Sequence, residues 1–395
     1  MKKKNMFILF YLLLSCNFIY LLPISIWNSL RILSVISIVL FIFKLNEISI
    51  DRGRFNNIII MIFALCVVEI IISLLSYNQS IKEVIGTSLY YFNILFYYQL
   101  RLNRESCDYL DIEKYIIIIS SLISILQSVQ YYMYINFGLK FLSIDFENNF
   151  RFDEIRINAN SFLIGIGIIL LISKLLTSNK LDLRNKITYY ALIFINSFCL
   201  IYVGKSRGIL GYLLVTILFM YIILKRGIVL KIKLIIIVSL GIFIIMKLPI
   251  MDKYINLIND DDGSTITRDS AITFYTDQIK SKPVLGMGII NAMDKKSKEY
   301  KLIRGPYGKF FRDDVGIWGY CNEFGLSGLI LYLGIIVKLF RIVIVHRRNK
   351  ELYKYIDKVG LLIFIILSSN TLIVMNGSRI CYLPFILFIF EGKRD

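Results

Sequence analysis

The stretch Ile58–Leu75, IIIMIFALCVVEIIISLL, decides the class of fold. Its only charged residue is Glu69, and a helix needs roughly 20 apolar residues to cross about 30 Å of hydrocarbon. Comparable apolar runs occur at Tyr115–Ile135 and Leu234–Met246. Because the core of a bilayer holds no water that could satisfy backbone polar groups, such runs must be helices. The sequence therefore predicts an all-α polytopic membrane protein.

The composition of the whole chain agrees with this class. Apolar residues make up 57% of it and the mean hydropathy is +0.67, values that a soluble domain of this size does not have. The formal net charge is +18. Lys and Arg alternate with the apolar runs, however, and do not form a basic stripe with aromatic residues for base stacking. We expect a lipid bilayer as partner and no nucleic acid.

About 12 transmembrane helices are expected from the apolar runs. The first run follows Lys2–Lys4 and resembles a signal peptide, but no small-residue cleavage site follows it, so it is kept as a helix. The predicted spans are residues 6–22, 26–43, 58–75, 84–100, 115–135, 161–176, 187–203, 209–224, 232–248, 316–340, 359–375 and 379–390.

The basic residues predict the orientation. More than half of the 46 Lys and Arg fall in alternate connections, which the positive-inside rule assigns to the cytoplasm. Both termini are therefore expected in the cytoplasm, in a multi-pass protein of the cell membrane, or of the inner membrane if the cell has two. Residues 1–248 would carry nine helices, 249–314 an extracytoplasmic loop domain between spans nine and ten, and 315–395 the last three helices and a short tail.

The loop domain has helix signals of its own. Thr265 or Thr267 is expected to cap a helix over Arg268–Ser281, which Lys282-Pro283 would end. The glycines of Gly286-Met287-Gly288 indicate a tight backbone passage. We expect the loop to pack as a small lid on the helix bundle.

Four outward segments combine polar residues with a helix start. Even-numbered spans begin at the outer face, where their free N–H groups favour an anion such as a diphosphate. Arginine suits phosphate oxygens because its donors form a planar fork. The four segments are Arg151–Asn160 (RFDEIRINAN), Gly204–Gly208 (GKSRG), Arg268, and Arg312–Asp314 with Asn322–Gly325.

Simpler interpretations of these residues stay open. Side chains such as Asn158, Asn160 and Ser206 are typical N-caps. Lys205 and Arg207 have the long stems of interfacial anchors. An ionisable group close to a span, such as Glu323, can serve function or a structural pair, and Glu69 has no companions in the sequence that would give it a role.

Residues that could hold a metal or a cofactor are scarce. The six cysteines show no metal spacing and no disulfide framework. The single histidine, His346, lies in the basic run Arg341–Lys350. Asp260–Asp262 lacks the later Glu of an EF-hand loop. We expect no metal site and no cofactor.

Taken together, the chain resembles the O-antigen polymerase and ligase superfamily of bacterial envelope polysaccharide enzymes. The likeness covers most of the chain: about twelve spans with one large outward loop late in the sequence. The matching motifs are Arg151 followed by Asn158-Ala-Asn160, then Ser206-Arg207-Gly208, then Arg268 followed by Pro283, Gly286 and Gly288, and finally Asn322–Gly328 (NEFGLSG).

Two departures from the family pattern matter. The ligase branch has a histidine near the end of the large loop, where this chain has Asp313-Asp314, and this favours a polymerase. The proline that is common between the two asparagines is absent, since Ala159 stands there.

The resemblance implies metal-independent glycosyl transfer on the outer face of the membrane. A growing glycan on undecaprenyl diphosphate would be transferred to a lipid-linked repeat unit of O-antigen or capsule, and a chain-length regulator and a flippase would be partners. The alternatives are a ligase-type glycan transferase and a lipid-linked oligosaccharide flippase or transporter. The implied catalytic residues are Arg151, Arg268, Asp313, Asp314 and Glu323, with the choice of base among the acids open, and the implied substrate-binding residues are Arg156, Asn158, Asn160, Lys205, Ser206 and Arg207.

Overall fold

The computed structural model describes most of the chain. The described residues are 3–17, 21, 25–50, 53–77, 79–143, 150–151, 154–157, 160–177, 182–224, 263–292, 297–348 and 355–392. The predicted ninth span, residues 232–248, lies outside them, and so does the first part of the predicted loop, including Asp260–Asp262.

The described residues form an all-helical fold. Up to residue 224, the helices are α1 (Lys3–Ser15), α2 (Ile26–Phe43), α3 (Leu45–Ile50), α4 (Asn56–Ser76), α5 (Ile81–Ser88), α6 (Phe96–Leu102), α7 (Tyr109–Phe137), α8 (Ser161–Thr177), α9 (Leu183–Phe198) and α10 (Arg207–Leu224). From residue 263 onward they are α11 (Gly263–Ser281), α12 (Lys298–Arg304), α13 (Gly316–Arg348), α14 (Ile356–Ser368) and α15 (Leu383–Glu391).

Short elements of other geometry join these helices. Strands β1 (Phe150–Arg151) and β2 (Glu154–Ile155) form a two-residue antiparallel ladder. A π-helical turn at Cys199–Val203 extends α9, and 3₁₀ segments lie at Leu89–Leu95, Arg312–Asp314 and Ile380–Tyr382.

Among the described residues, six helices are long and apolar enough to cross a membrane. They are α2, α4, α7, α9 with its π turn, α10, and Gly316–Val345 of α13. Shorter apolar helices occur at Met6–Ser15, Ser161–Thr177 and Ile380–Glu391. The predicted helices at 26–43, 58–75, 115–135, 161–176, 187–203, 209–224 and 316–340 all fall within helical segments. The total of about twelve spans stays a prediction.

The single helix predicted at 84–100 is wrong. It is divided into α5, a 3₁₀ segment and α6. The side-chain amide of Asn93 donates to Leu30 O at 3.3 Å, and Asn93 Oδ1 accepts from the Tyr11 hydroxyl at 2.9 Å. Tyr11 also stacks on Phe96, with ring centroids 3.4 Å apart. The buried polar contacts of Asn93 in the 3₁₀ segment and the aromatic contact at the start of α6 favour this division over a continuous α-helix.

Two predicted spans end early. Helix α1 ends at Ser15, well before residue 22, and α14 ends at Ser368, before residue 375. At the end of α14, Ser369 O accepts from Ile317 N at the start of α13, at 2.8 Å. The carbonyl group is therefore used between helices, and the chain turns at this point.

Helix α13 is broken at Gly325, where φ is 60° and ψ is −159°. The break leaves carbonyl groups without helical partners, and the segment after α11 satisfies them. Met287 N donates to Asn322 O at 2.7 Å and Gly288 N to Glu323 O at 3.0 Å. In return, Leu326 N donates to Pro283 O at 2.8 Å. Non-helical backbone at such a break is tolerated where protein covers it.

Gly286 and Gly288 are required at this junction. Their φ angles are 72° and 85°, and a Cβ on Gly286 would lie 2.6 Å from Gly325 N and 2.7 Å from Asn322 O. The predicted tight passage is confirmed, and its partner is the broken helix α13. The helix before it ends at Ser281, as predicted, but begins at Gly263. Thr265 and Thr267 therefore lie inside α11 and are not its caps.

Polar contacts at one end of the bundle join connections that the charge pattern assigns to the cytoplasm. Arg101 Nε lies 3.1 Å from Glu391 Oε2, Lys174 Nζ lies 2.7 Å from Glu113 Oε2, and Lys358 Nζ donates to Phe390 O at 3.1 Å. This grouping agrees with the predicted alternation of connections, while the orientation itself stays a prediction.

Candidate functional site

The site begins where residues 155–157 pack against the turn before α10. Ile157 N donates to Val203 O at 2.9 Å, and Arg156 Nε donates to Gly204 O at 2.9 Å. Lys205 Nζ donates to Ile155 O at 3.1 Å. These bonds bring the starts of α8 and α10 side by side, although they are far apart in the sequence.

One residue just before each of these two helices, α8 and α10, has a positive φ angle. Asn160 has φ 53° and Lys205 has φ 43°, a region that non-glycine residues enter rarely and at a cost. Asn160 O and Ser206 O accept the first helical bonds of α8 and α10, from Ile164 N and Leu210 N. The Asn160 side chain accepts from the Tyr382 hydroxyl at 2.9 Å, and the Ser206 hydroxyl donates to Gly204 O at 3.1 Å. Both residues thus occupy N-cap positions, yet these side-chain bonds go to other partners.

A cavity of about 470 Å³, which we call the arginine cavity, opens at these helix starts. Among the described residues, its charged lining consists of four arginines and one carboxylate: Arg156, Arg207, Arg268, Arg379 and Asp314. Asn160, Ser206 and Tyr382 add polar groups. Asn160 Nδ2 is buried and has no hydrogen-bond partner within the described part of the chain. The cavity therefore offers a positive potential, helix N–H groups and an available donor.

The arginine cavity brings together six of the residues predicted from the sequence. They are Arg156, Asn160, Ser206, Arg207, Arg268 and Asp314. Lys205 does not line it, and its ammonium group is bound to Ile155 O. Asn158 lies outside the described residues, and of Arg151 the structure describes only the backbone, in β1.

A second cavity, of about 330 Å³, is lined by the other two predicted acidic residues. Asp313 and Glu323 line it together with Arg304, Arg312 and Asn291. Four aromatic side chains also line it, Trp27, Tyr90, Tyr91 and Phe311, together with Thr87, Ile290, Ala292, Ile303 and Gly377. We call it the aromatic cavity.

The two cavities share a wall. In three places, one residue lines the aromatic cavity and its neighbour in the chain lines the arginine cavity. These pairs are Trp27 and Ile26, Asp313 and Asp314, and Gly377 and Ser378. The Ser378 hydroxyl lies 3.4 Å from Asp313 Oδ2 and so links two segments of this wall. The two cavities are therefore lined by adjacent residues of the same three segments.

Asp313 has a perturbed carboxyl group. Burial raises its pKa above the usual range, and Asp314 raises it further, while the Arg379 guanidinium, the Ser378 hydroxyl and Arg304 oppose the increase. Burial acts on Arg379 in the opposite sense and lowers its pKa. A carboxyl group with a raised pKa is a stronger base once ionised, which is a property of many catalytic carboxylates.

Arg312 joins the loop segment to the broken helix. Its Nε donates to Asn322 Oδ1 at 2.7 Å, and its Nη1 donates to Gly288 O at 3.2 Å and lies 4.0 Å from Glu323 Oε2. Asn322 Nδ2 in turn donates to Gln278 Oε1 of α11 at 2.7 Å. Glu323 therefore has the structural pairing that the sequence left open, besides its place on the cavity wall.

Glu69 has companions that the sequence did not reveal. Its side chain is fully buried, and a Cβ on Gly288 would lie 3.5 Å from its Oε2. Glu323, Arg312 and Lys282 are close enough to influence it electrostatically. The proximity of residues so distant in the sequence accompanies the break in α13, which periodicity does not predict.

Arg379 and Tyr382 are site residues that sequence reasoning missed. Both line the arginine cavity, in the turn between α14 and α15. A signal was present for Arg379, because it is the single cation of a short connection assigned to the outer side. Tyr382 could not be recognised, since tyrosine is common throughout this chain.

Metal ligands are few in the part of the chain that the structure describes. No three His, Cys, Asp or Glu side chains there form a group that could hold a metal ion. All six cysteines are buried and none forms a disulfide. The absence of a metal requirement stays a prediction.

No protein-family model matches this chain, and no curated protein matches it. Function has to be inferred from the two cavities and the residues that line them.

Proposed function

We propose that this chain is a polysaccharide polymerase. It transfers a growing glycan from undecaprenyl diphosphate to a lipid-linked repeat unit of O-antigen or capsule, without a metal ion. The observation that carries the proposal is the arginine cavity, in which four arginines from separate segments meet the N-termini of two apolar helices. Such a site favours a diphosphate, because guanidinium forks and helix N–H groups both bind phosphate oxygens.

The chemistry of the leaving group explains why so many arginines would be needed. When the acceptor hydroxyl attacks the anomeric carbon, the bond from that carbon to the diphosphate oxygen breaks and its electron pair goes to the diphosphate. Donors aimed at this developing charge lower the barrier to reaction. Arg268 and Arg207 are assigned this role, together with Arg379, while Arg156 also holds Gly204 O. Arg151 remains a candidate from the sequence.

The proposal includes about twelve spans, with both termini in the cytoplasm and the arginine cavity at the outer face. Four arginines beside apolar helices are costly inside a bilayer and are favourable where lipid headgroups begin. The lipid tail of the substrate would then stay in the membrane while its diphosphate enters the cavity.

A lipid-linked oligosaccharide flippase would also need a cationic cavity. The two activities differ in which intermediate accumulates when the gene is deleted. Loss of a polymerase leaves single lipid-linked repeats on the outer leaflet, whereas loss of a flippase leaves them on the cytoplasmic leaflet. The test is to delete the gene and treat intact cells, or spheroplasts if the cell has two membranes, with a glycosidase that cannot cross the membrane.

Digestion of the accumulated repeats in intact cells, together with loss of polymer, is the expected result. Repeats that are protected until the cells are lysed would contradict the polymerase and favour a flippase. Polymer of normal length that fails to reach its final attachment site would indicate a ligase-type transferase. Re-expression of the chain from a plasmid is the control for effects on neighbouring genes.

A further inference from the structure

The lining of the aromatic cavity has the composition of a carbohydrate site. Its lining combines the aromatic side chains of Trp27, Tyr90, Tyr91 and Phe311 with the hydrogen-bonding groups of Asn291, Arg312, Asp313 and Glu323. The C–H face of a sugar ring packs on aromatic rings, while its hydroxyl groups donate to carboxylates and accept from guanidinium groups. Its volume, about 330 Å³, falls within the range of small-molecule sites, about 300–1,000 Å³.

Arg312 supplies a separate indication of a ligand. It lines the aromatic cavity and is only 8% exposed. Its Nη2 is buried and has no hydrogen-bond partner among the described residues, although Nε and Nη1 are both bound. A buried donor without a partner costs free energy, and an acceptor on a bound ligand would remove that cost.

We propose that the aromatic cavity binds the acceptor saccharide, and that Asp313, in the wall between the two cavities, is the base that takes the proton of the attacking hydroxyl. This inference rests on the proposed polymerase function. It identifies the second substrate site and selects one of the three acids that the sequence left open.

The reaction is balanced without any further reactant. The acceptor oxygen forms a bond to the anomeric carbon of the donor sugar, and its proton moves to the Asp313 carboxylate. The bond between that carbon and the diphosphate oxygen breaks, and the diphosphate keeps the electron pair in the arginine cavity. The proton later leaves Asp313 for solvent, since the side chain is only half-buried.

The positions of Asp313, Asp314 and Glu323 favour Asp313 as the base. Asp314 is exposed and lines the arginine cavity, on the side of the diphosphate and not of the acceptor. Glu323 already has a structural pairing, because it lies 4.0 Å from the Arg312 guanidinium. It is part of α13 just before the break at Gly325. Asp313 lines the aromatic cavity in the wall between the two cavities, where the Ser378 hydroxyl contacts it at 3.4 Å.

Saccharide binding can be measured through Trp27. The chain contains two tryptophans, Trp27 and Trp318, and each is 39% exposed. Only Trp27 lines a cavity described above. In purified Trp318→Phe protein, Trp27 is therefore the only tryptophan, and the reciprocal Trp27→Phe variant is the matched control. The probe is the repeat-unit oligosaccharide released from the cell's own lipid carrier by mild acid, which carries no diphosphate.

A saturable change of Trp27 emission with this oligosaccharide is expected, with no change in the Trp27→Phe control. Inorganic pyrophosphate, measured by titration calorimetry, should bind independently and more weakly in Arg268→Ala protein. If pyrophosphate binds and the oligosaccharide leaves Trp27 emission unchanged, the saccharide site is wrong and the proposed function is unaffected. If the oligosaccharide binds and pyrophosphate does not, the arginine cavity has been misassigned and the saccharide site stands.

The role of Asp313 is tested by Asp313→Asn, which keeps the shape of the side chain and removes the base. General-base catalysis contributes about 10²–10⁴-fold, so turnover of lipid-linked repeats should fall by at least about 100-fold. Oligosaccharide binding to the same variant, read from Trp27, should persist and shows that the protein is folded. The control is Asp269→Asn, at an exposed position of α11 that lines neither cavity. Wild-type turnover in Asp313→Asn, or loss of oligosaccharide binding in it, would contradict the assignment.

Discussion

At the scale of single residues, the site depends on arginines that come from distant parts of the chain. Arg156, Arg207, Arg268 and Arg379 line one cavity of about 470 Å³. Among the described lining residues, these four cations accompany a single carboxylate, Asp314. A bound diphosphate would complement this excess of positive charge, and this is why we assign the cavity a binding role.

Arg268 gives the most specific prediction at this scale. A hydrogen bond to a charged group contributes about 1.5–3 kcal/mol. Loss of roughly 3 kcal/mol from the transition state slows a reaction on the order of 100-fold. Arg268→Ala should nearly abolish polymer, and Arg268→Lys should restore part of it, because an ammonium group keeps the charge but not the planar fork. The measurement is polymer chain length in cells at matched protein level.

The control lies on the same helix. Lys280 of α11 is an exposed cation that pairs with Asp277 at 3.0 Å and lines neither cavity. Lys280→Ala should leave chain length unchanged. Full activity in Arg268→Lys together with reduced abundance of Arg268→Ala would instead mean that Arg268 only anchors the loop.

The pH dependence of activity should report on Asp313. Its pKa is raised by burial and by Asp314, and is held down by Arg379, Ser378 and Arg304, with Glu323 and Arg312 on the same cavity. Since a base must be ionised, activity should be lost as the pH falls through this raised pKa. Arg379→Gln removes an opposing charge, so the acid limb of the turnover profile should move to higher pH. An unchanged acid limb, at whatever residual rate, would contradict the role of Asp313.

At the scale of elements, the break in α13 determines the position of the loop segment. Pro283–Gly288 and Asn322–Ser327 exchange backbone hydrogen bonds, including Met287 N to Asn322 O at 2.7 Å and Ser327 N to Val284 O at 3.0 Å. Arg312 crosses the same junction through Asn322 and Gly288. The wall that carries Asp313 therefore depends on this contact between the loop and the helix.

Gly286→Ala tests this dependence. A left-handed conformation costs an alanine about 1–2 kcal/mol, and the new Cβ would also lie 2.6 Å from Gly325 N. We expect the loop segment to separate from α13, which limited proteolysis of purified protein would detect between α11 and α13. Gly138→Ala is the control, because Gly138 has a similar φ of 66° but a Cβ there would meet no atom within 4 Å. Equal protease resistance of both variants would contradict the proposed dependence.

Much of the helix pattern could be predicted because apolar runs of the right length have few alternatives in a membrane. The runs at 26–43, 58–75 and 115–135 are examples. The division of the predicted span at 84–100 could not be predicted, because it depends on contacts of Asn93 with Tyr11 and Leu30. The break at Gly325 could not be predicted either, because glycine is common in membrane helices. Its role is visible only from the backbone hydrogen bonds with the facing segment, Pro283–Gly288.

Part of the candidate site could also be predicted from the sequence. Arginines and polar residues at helix starts indicated an anion site, and six of the predicted residues share the arginine cavity. The sequence did not indicate that Asp313 and Asp314 would line opposite cavities. That separation follows from the 3₁₀ turn at Arg312–Asp314, which directs successive side chains to different sides.

At the scale of the whole molecule, the polar contacts divide the connections between two ends. Arg101 with Glu391 and Lys174 with Glu113 lie at one end, and the arginine cavity is built from connections of the other. This division is expected if the first end is cytoplasmic and the second faces outward.

Cysteine labelling tests the orientation. In a cysteine-free and active background, Ser270→Cys, at an exposed position of α11, should react with a membrane-impermeant maleimide in intact cells, after permeabilisation of an outer membrane if one is present. Glu105→Cys, exposed in the connection between α6 and α7, should react only after lysis. Labelling of Glu105→Cys in intact cells, with Ser270→Cys protected, would invert the topology.

The most direct measurement is polymerisation by the purified chain in liposomes, supplied only with undecaprenyl-diphosphate-linked repeat units and excess EDTA. The wild-type chain should produce a ladder of glycans, and Arg268→Ala protein should leave single repeats. No ladder from the wild-type chain, a ladder that requires added magnesium or manganese, or an equal ladder from Arg268→Ala would contradict metal-independent glycosyl transfer in the arginine cavity.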